Sequence, residues 1–217
     1  MLPEQKSSIQ NIVQLFDEAE DKVKEVELLA QEISIPSINE LRYVGYHLAR
    51  SFCEDDPEKL DTQIDKATRH CKRAIYDAHE IGIIYMLEQI KLFKEKYISD
   101  SDSVIKIIPL FADDLVKVTE TADFIAQVKG SCRNDRDEYY AQCKPLYLTL
   151  KKVFDKFNVS EALINQEIIK SRREDRKQTR RYITGTLIAL LSIVITISVS
   201  GKEITWGNGK ISEHIKK

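Results

Sequence analysis

Apolar residues in the first part of the chain recur at intervals of three and four, with charged residues between them. The positions in the first such run are Ile9, Ile12, Val13, Phe16, Ala19, Val23, Val26, Ala30 and Ile33. This spacing places them along one side of an α-helix. We therefore predict a long amphipathic helix from Pro3 to Ser34, which ends where Pro36 disfavours helical geometry in the residue before it.

Capping signals predict where the next two helices begin. Ser37 followed by Glu40 fits a capping box, so we place the start of the second helix at Ser37. Asp56 followed by Pro57 fits an N-cap and a first helical residue, which predicts a third helix from Pro57 to Tyr97. Apolar stripes on both helices predict that they pack together.

The rest of the chain contains more interruptions. In chain order we predict a polar loop at 99–103, a fourth helix at 104–129 with a kink or restart at Pro109, a turn at 130–134, a fifth helix at 135–157, and a break at 158–160. A last helix begins at Ser160 and continues into an apolar segment. The chain has only 7 Gly and 5 Pro, whereas a β-sandwich or barrel needs a turn roughly every ten residues. The predicted fold class is all-α.

One segment near the C-terminus has the length and composition of a transmembrane helix. Residues 182–200 contain no charged side chain, and a helix of that length measures about 28 Å, close to the thickness of the bilayer core. The alternative is a buried helix of a soluble domain. We predict a helical cytosolic sensor and oligomerisation domain at 1–181, a transmembrane helix at 182–200 and a short extracytoplasmic tail at 201–217.

Basic residues on the N-terminal side of this segment predict its orientation. The membrane-interface residues are Arg176, Lys177, Arg180 and Arg181 on one side and Trp206 on the other. Because Lys and Arg accumulate on the cytoplasmic side of spans, we expect a single-pass protein of the bacterial inner membrane with a cytoplasmic N-terminal domain. In the tail, the pair Asn208-Gly209 predicts a small hairpin. The lipid bilayer is therefore a predicted partner, and with a net charge of −2 no duplex DNA is expected.

Small and hydroxyl-bearing residues share one face of the predicted span. The residues are Gly185, Ala189, Ser192, Thr196 and Ser200. Small residues let helices approach closely in lipid, and hydroxyls can bond across the contact. We predict that this face lines a pore or packs against copies of the chain in a homo-oligomer. The alternative is a plain anchor whose hydroxyls bond back to their own helix.

Polar side chains lie beside the apolar stripes of the second and third helices. One set is Glu40, Tyr43, His47 and Arg50, and the other is His70, Arg73, Asp77 and Glu80. Basic and imidazole groups at such a seam can hold an anion such as the phosphate of a nucleotide or oligonucleotide. The candidate ligand-binding residues are Arg42, His47, Arg50, His70 and Arg73. An interhelical salt-bridge network is the alternative.

Arg42 and His47 also resemble the short Arg-x4-His motif of HEPN ribonucleases, in which both residues act on an RNA phosphate. The sequence departs from that motif because Tyr43, rather than a more polar residue, follows the arginine. Glycine-rich phosphate loops, HExxH motifs and paired CxxC motifs do not occur. We therefore expect a protein with no catalytic residues, cofactor or metal, and a membrane-tethered HEPN-like ribonuclease remains the enzymatic alternative.

Two segments, 39–52 and 67–80, resemble bacterial proteins found with antiphage-defence genes. The layout of a helical domain followed by a terminal span is similar to the channel effectors of Hailong antiphage systems. The resemblance implies an oligomeric ion channel controlled by a nucleotide signal that a partner nucleotidyltransferase makes. Opening of the pore would depolarise the membrane and stop the infected cell before phage matures. A non-catalytic membrane scaffold, acting through the coiled-coil-like first helix, is the remaining alternative.

Overall fold

The structure, a computed structural model, describes the backbone of residues 3–130 and 136–211, and side chains at 4–127 and 141–198. These residues form helices and no strand, which confirms the predicted all-α class. The elements are α1 (Pro3–Ala30), α2 (Ile35–Ser51), α3 (Pro57–Tyr97), a 3₁₀ turn (Ile98–Asp100), α4 (Ser101–Ile107), α5 (Phe111–Gly130) and α6 (Arg136–Ile211).

The chain divides into two compact units, Met1–Glu161 and Ala162–Lys217. In the first unit, α1 and α2 pack on the N-terminal half of α3. Their core contains Ile12 from α1, Val44 from α2 and Cys71 from α3, all fully buried. Burying these apolar faces supplies most of the stability of the bundle.

Aromatic residues fill the core around the C-terminal half of α3. The ring of Phe93 lies 4.7 Å from that of Phe157 in α6 and 6.3 Å from that of Phe111 in α5, measured between centroids. Tyr97 extends the cluster, with its ring 4.8 Å from Phe93. Aromatic pairs at these distances add to the stability gained from burial. α3 is therefore the element that both halves of the unit share.

The junction between α1 and α2 differs from the prediction. α1 ends at Ala30, because Gln31 turns the chain with a φ of 56°. α2 begins at Ile35 with Pro36 in its first turn, so the capping box predicted at Ser37 is wrong. Ser37 is buried inside the helix and its hydroxyl bonds to that of Ser34 at 2.6 Å. Proline is favourable at this position because its nitrogen has no hydrogen to leave unpaired.

The start of α3 confirms its prediction. Asp56 is the N-cap, and its side chain accepts a hydrogen bond from the backbone N–H of Glu58 at 3.0 Å. α3 then runs to Tyr97, as predicted from the apolar periodicity. Further along, the predicted restart at Pro109 is confirmed, since α4 ends at Ile107 and α5 begins at Phe111.

Two predicted interruptions are wrong. The loop expected at 99–103 belongs to the 3₁₀ turn and α4, where burial of Ser103 and Val104 holds the chain in helical form. The break expected at 158–160 is helical, because buried Phe157 and the ion pair of Glu161 with Lys96 fix the helix on both sides of it. Asn, Val and Ser disfavour helix only weakly.

The hairpin predicted at Asn208-Gly209 is also wrong, since α6 continues through Ile211. A two-stranded hairpin that packs against nothing else is marginal. Of the turn predicted at 130–134, Gly130 is the last residue of α5 and the others lie outside the described residues.

Candidate functional site

Four rings from α2 and α3 form a column at the seam between these helices, in which the first three stack and the fourth meets its neighbour edge-on. Their order is Tyr43, His70, His47 and Tyr46. The centroids are 5.3 Å apart for Tyr43 and His70, 5.1 Å for His70 and His47, and 5.2 Å for His47 and Tyr46. The two imidazole planes differ by only 14°. We call these residues the ring column.

Each imidazole of the ring column is oriented by a neighbour across the seam. Nδ1 of His70 bonds to a carboxylate oxygen of Glu40. A carboxylate only accepts, so this nitrogen of His70 donates. Nδ1 of His47 bonds to the amide oxygen of Gln63 at 2.8 Å and likewise donates. Each ring therefore presents Nε2 as the nitrogen that remains for another group.

The two arginines of the site lie at the outer ends of the ring column. The guanidinium carbon of Arg42 is 5.6 Å from the centroid of Tyr43, and that of Arg50 is 5.9 Å from Tyr46. Arg50 also donates to the Tyr46 hydroxyl at 3.2 Å, which raises the pKa of Arg50. Both arginines are exposed. Their charges are thus held next to two tyrosine rings that are themselves 43% and 52% exposed.

The structure brings four of the five predicted ligand-binding residues to one place. Arg73 lies half-buried on α3, one helical turn from His70. Across the seam Glu40 bonds to His70, and His47 bonds to Gln63 and stacks on the His70 ring. Sequence analysis missed the role of Tyr46 and Gln63. The sequence does carry a signal for Tyr46, because this residue lies one helical turn after Tyr43.

Arg42 and His47 have separate surroundings in this chain. The Arg42 side chain stacks on Tyr43, while the His47 ring lies between Tyr46 and His70 with its Nδ1 engaged by Gln63. Among the described residues, no three His, Cys, Asp or Glu side chains are arranged to hold a metal ion.

A second polar cluster, partly buried, lies where α1, α3 and α6 meet, and sequence analysis did not identify it. The Tyr147 hydroxyl donates to Glu25 at 2.7 Å, and Lys22 pairs with Glu25 and lies 5.0 Å from the centre of the Tyr147 ring. Partial burial would raise the pKa of Glu25, but the hydrogen bonds from Lys22 and Tyr147 outweigh it and hold that pKa below its usual value.

His79 lies in the same cluster with its ring 5.0 Å from that of Tyr147. Its exposure is 1%, and its Nδ1 has no hydrogen-bond partner. Burial, together with the nearby cations of Lys22 and Lys144, lowers the pKa of His79 to about 4. His79 is therefore neutral at pH 7.

Residues of the predicted span form an exposed, apolar part of α6. By length and composition this is the one stretch in the described residues that can cross a membrane, and none of it is buried. Gly185 and Ala189 are exposed, whereas the hydroxyls of Ser192 and Thr196 donate to the backbone oxygens of Ile188 and Ser192 at 2.9 Å. These hydroxyls thus bond back to their own helix, and their oxygen lone pairs remain able to accept from a neighbour.

The basic residues before the span, Arg176, Lys177, Arg180 and Arg181, are all exposed. The side chains of Ser200 and Trp206 lie outside the described side chains. The structure therefore presents a cationic segment followed directly by an uncharged apolar one.

Comparison with known proteins identifies no relative of this chain. No protein-family model, no curated protein and no solved structure matches the chain.

Proposed function

We propose that this chain is an oligomeric membrane effector of antiphage defence in the bacterial inner membrane. Its cytosolic helical unit senses an anionic nucleotide or oligonucleotide signal made by a partner nucleotidyltransferase. Its α6 spans from several copies form a pore that depolarises the membrane. The observation that carries this proposal is the uncharged, fully exposed stretch of α6 beyond a run of exposed arginines.

The exposed stretch supports insertion in lipid. From Ile183 to Ile197 the large aliphatic side chains are each at least half exposed. In water such a surface costs about 25 cal/mol for each Å² of apolar area, whereas a bilayer removes that cost. The arginines then lie at the cytoplasmic headgroups, where each gains about 1 kcal/mol from anionic lipid.

The ring column supports recognition of a nucleotide. Arg42 and Arg50 supply cations for phosphate oxygens, and the partly exposed rings of Tyr43 and Tyr46 supply aromatic surface beside them for a base. The tethered imidazoles hold both tyrosines in place. A site of this composition binds an anionic aromatic ligand better than an inorganic anion.

Ion flux from liposomes tests the channel. We expect the purified full chain to release a trapped ion from vesicles, with a rate that changes when nucleotides or short oligonucleotides of mixed sequence are added. The double variant Arg42→Ala and Arg50→Ala should insert normally but lose this response. The double variant Lys72→Ala and Lys91→Ala, which removes two exposed cations elsewhere on α3, is the matched control.

Two results would contradict the proposal. Vesicles that stay sealed under all of these conditions would exclude a channel, and an unchanged response in the arginine double variant would exclude the proposed ligand site. RNA cleavage that is lost in His47→Ala would support the ribonuclease alternative instead.

A further inference from the structure

The side of α2 that faces away from the core carries a second heptad seam. The inward seam packs on α1 and α3 and consists of Ser37, Leu41, Val44, Leu48 and Ser51. The outward seam has spacings of three, four, three, four and three, and consists of Ile35, Ile38, Arg42, Gly45, Ala49 and Phe52. Alternating intervals of three and four are the pattern by which one helix packs along another.

Every position of this outer seam is exposed. Ile35 is 64% exposed, Ile38 43% and Phe52 70%. Apart from Arg42, each residue of the seam is apolar or lacks a side chain. A row of this kind over five helical turns is an unpartnered helix face rather than scattered surface apolar residues.

Gly45 has no structural explanation within its own chain. A Cβ built on it meets no atom within 4 Å, and no glycine of the described residues has a positive φ. A glycine inside a helix destabilises it relative to alanine without compensation here. By contrast, a Cβ at Gly82 would lie 2.6 Å from the Tyr147 ring, so that glycine is explained by packing. A second helix that approaches α2 closely at Gly45 and Ala49 supplies the missing reason.

We propose that the outer seam of α2 docks against the same seam of a second copy of this chain. This inference rests on the self-association in the proposed function and locates part of it in the cytosolic unit. α2 has 17 residues. A contact of that length would bind a freely diffusing partner only weakly. Copies confined to one bilayer meet at a much higher effective concentration, so a short seam is enough for them. The guanidinium of Arg42, the one charged residue of the seam, lies on the Tyr43 ring and so stays available to the ligand site.

Cross-linking of the full chain in membranes tests the docking. In a background with Cys53→Ser and Cys132→Ser, the substitution Gly45→Cys places a thiol near the middle of the seam. A short bis-maleimide should then join two copies, whichever way the two helices run. Gln10→Cys, at an exposed position of α1, is the control and should remain uncross-linked.

A charge on the seam should abolish this cross-link. Adding Ala49→Glu to the Gly45→Cys background should lower the yield at least tenfold, because a carboxylate would be buried at the contact. Glutamate is a good helix former, so α2 itself stays folded. Ala112→Glu, an exposed alanine of α5, is the matched control and should leave the yield unchanged.

A cysteine in the span separates failure of this inference from failure of the proposed function. If Gly185→Cys forms dimers while Gly45→Cys does not, the chain self-associates and only the seam is overturned. If neither position cross-links, the proposed oligomer fails as well. A yield that survives Ala49→Glu also overturns the seam.

Discussion

At the scale of single residues, the stability of the first unit depends on how Tyr147 is enclosed. This ring is fully buried and touches elements far apart in sequence, with Glu25 at its hydroxyl and His79 at its face. Gly82 leaves the space that the ring occupies. Neither the glycine nor the histidine is marked by any local motif, because their partner lies more than sixty residues away.

Alanine at the two glycines should therefore have opposite effects. Gly82→Ala places a methyl group against the fully buried ring of Tyr147 and should lower the free energy of unfolding by about 1–3 kcal/mol. Gly45→Ala meets no atom of its own chain and should raise the free energy of unfolding of the monomer by about 0.5–1 kcal/mol. Denaturant unfolding of the full chain in mild detergent measures both. Equal effects at the two sites would contradict this view of the packing.

Acid should destabilise the unit through His79. The pKa of His79 is about 4 in the folded protein and 6.5 as a free group, so the unfolded chain binds more protons between these values. The contribution of neutral His79 to the free energy of unfolding is therefore complete above pH 6.5. It falls by about 3 kcal/mol on acidification to pH 4. Thermal melts at pH 7 and pH 4.5 should show a smaller difference for His79→Leu than for the unsubstituted chain.

At the scale of elements, α6 is fixed in the first unit by two ion-pair clusters. Asp114 of α5 is 1% exposed and pairs with Lys156 at 2.6 Å and Lys117 at 3.2 Å. Burial would raise the pKa of Asp114, but these two lysines hold it below its usual value. Glu161 accepts from Lys96, and this bond lowers the pKa of Glu161. These contacts explain why α6 is helical through 158–160.

Removing one partner of the buried carboxylate should be costly. Lys156→Ala leaves Asp114 buried with a single cation, and we expect a loss of about 1–3 kcal/mol in the free energy of unfolding. Lys91→Ala breaks only the exposed pair with Glu95 and should cost less than about 0.5 kcal/mol. Similar losses in both variants would show that the ion pair of Lys156 with Asp114 contributes little to the stability of the first unit.

At the scale of the whole molecule, the two units differ in how far their apolar residues are buried. The first unit has a closed core, whereas the apolar residues of α6 beyond the basic run are all exposed. A surface of that kind is stable only where lipid or other helices cover it.

The full chain should therefore remain with membranes until detergent extracts it. The double substitution Leu190→Arg and Ile193→Arg places two charges in the middle of the apolar stretch, at about 2.5–3.5 kcal/mol each, and should shift the protein to the soluble fraction. Leu92→Arg and Ile105→Arg, at exposed positions of α3 and α4, form the control. Recovery of the unsubstituted chain as a freely soluble monomer would contradict the membrane proposal.

Local chemistry explains which features the sequence could predict. The helical class, the start of α3 at Asp56-Pro57, the restart at Pro109 and the uncharged stretch at 182–200 all follow from residues close together along the chain. Propensity, capping and hydropathy act over a few residues, so no tertiary contact is needed to predict them.

Long-range contacts decided the rest. The sequence placed His47 and His70 on facing helices, but only the packing of α2 on α3 stacked their rings and paired them with Gln63 and Glu40. Burial likewise made 99–103 helical and left His79 neutral with an unpaired nitrogen. These outcomes depend on which side chains meet across the core, and that is set by the register of helices distant in sequence, for which the sequence carries no local signal.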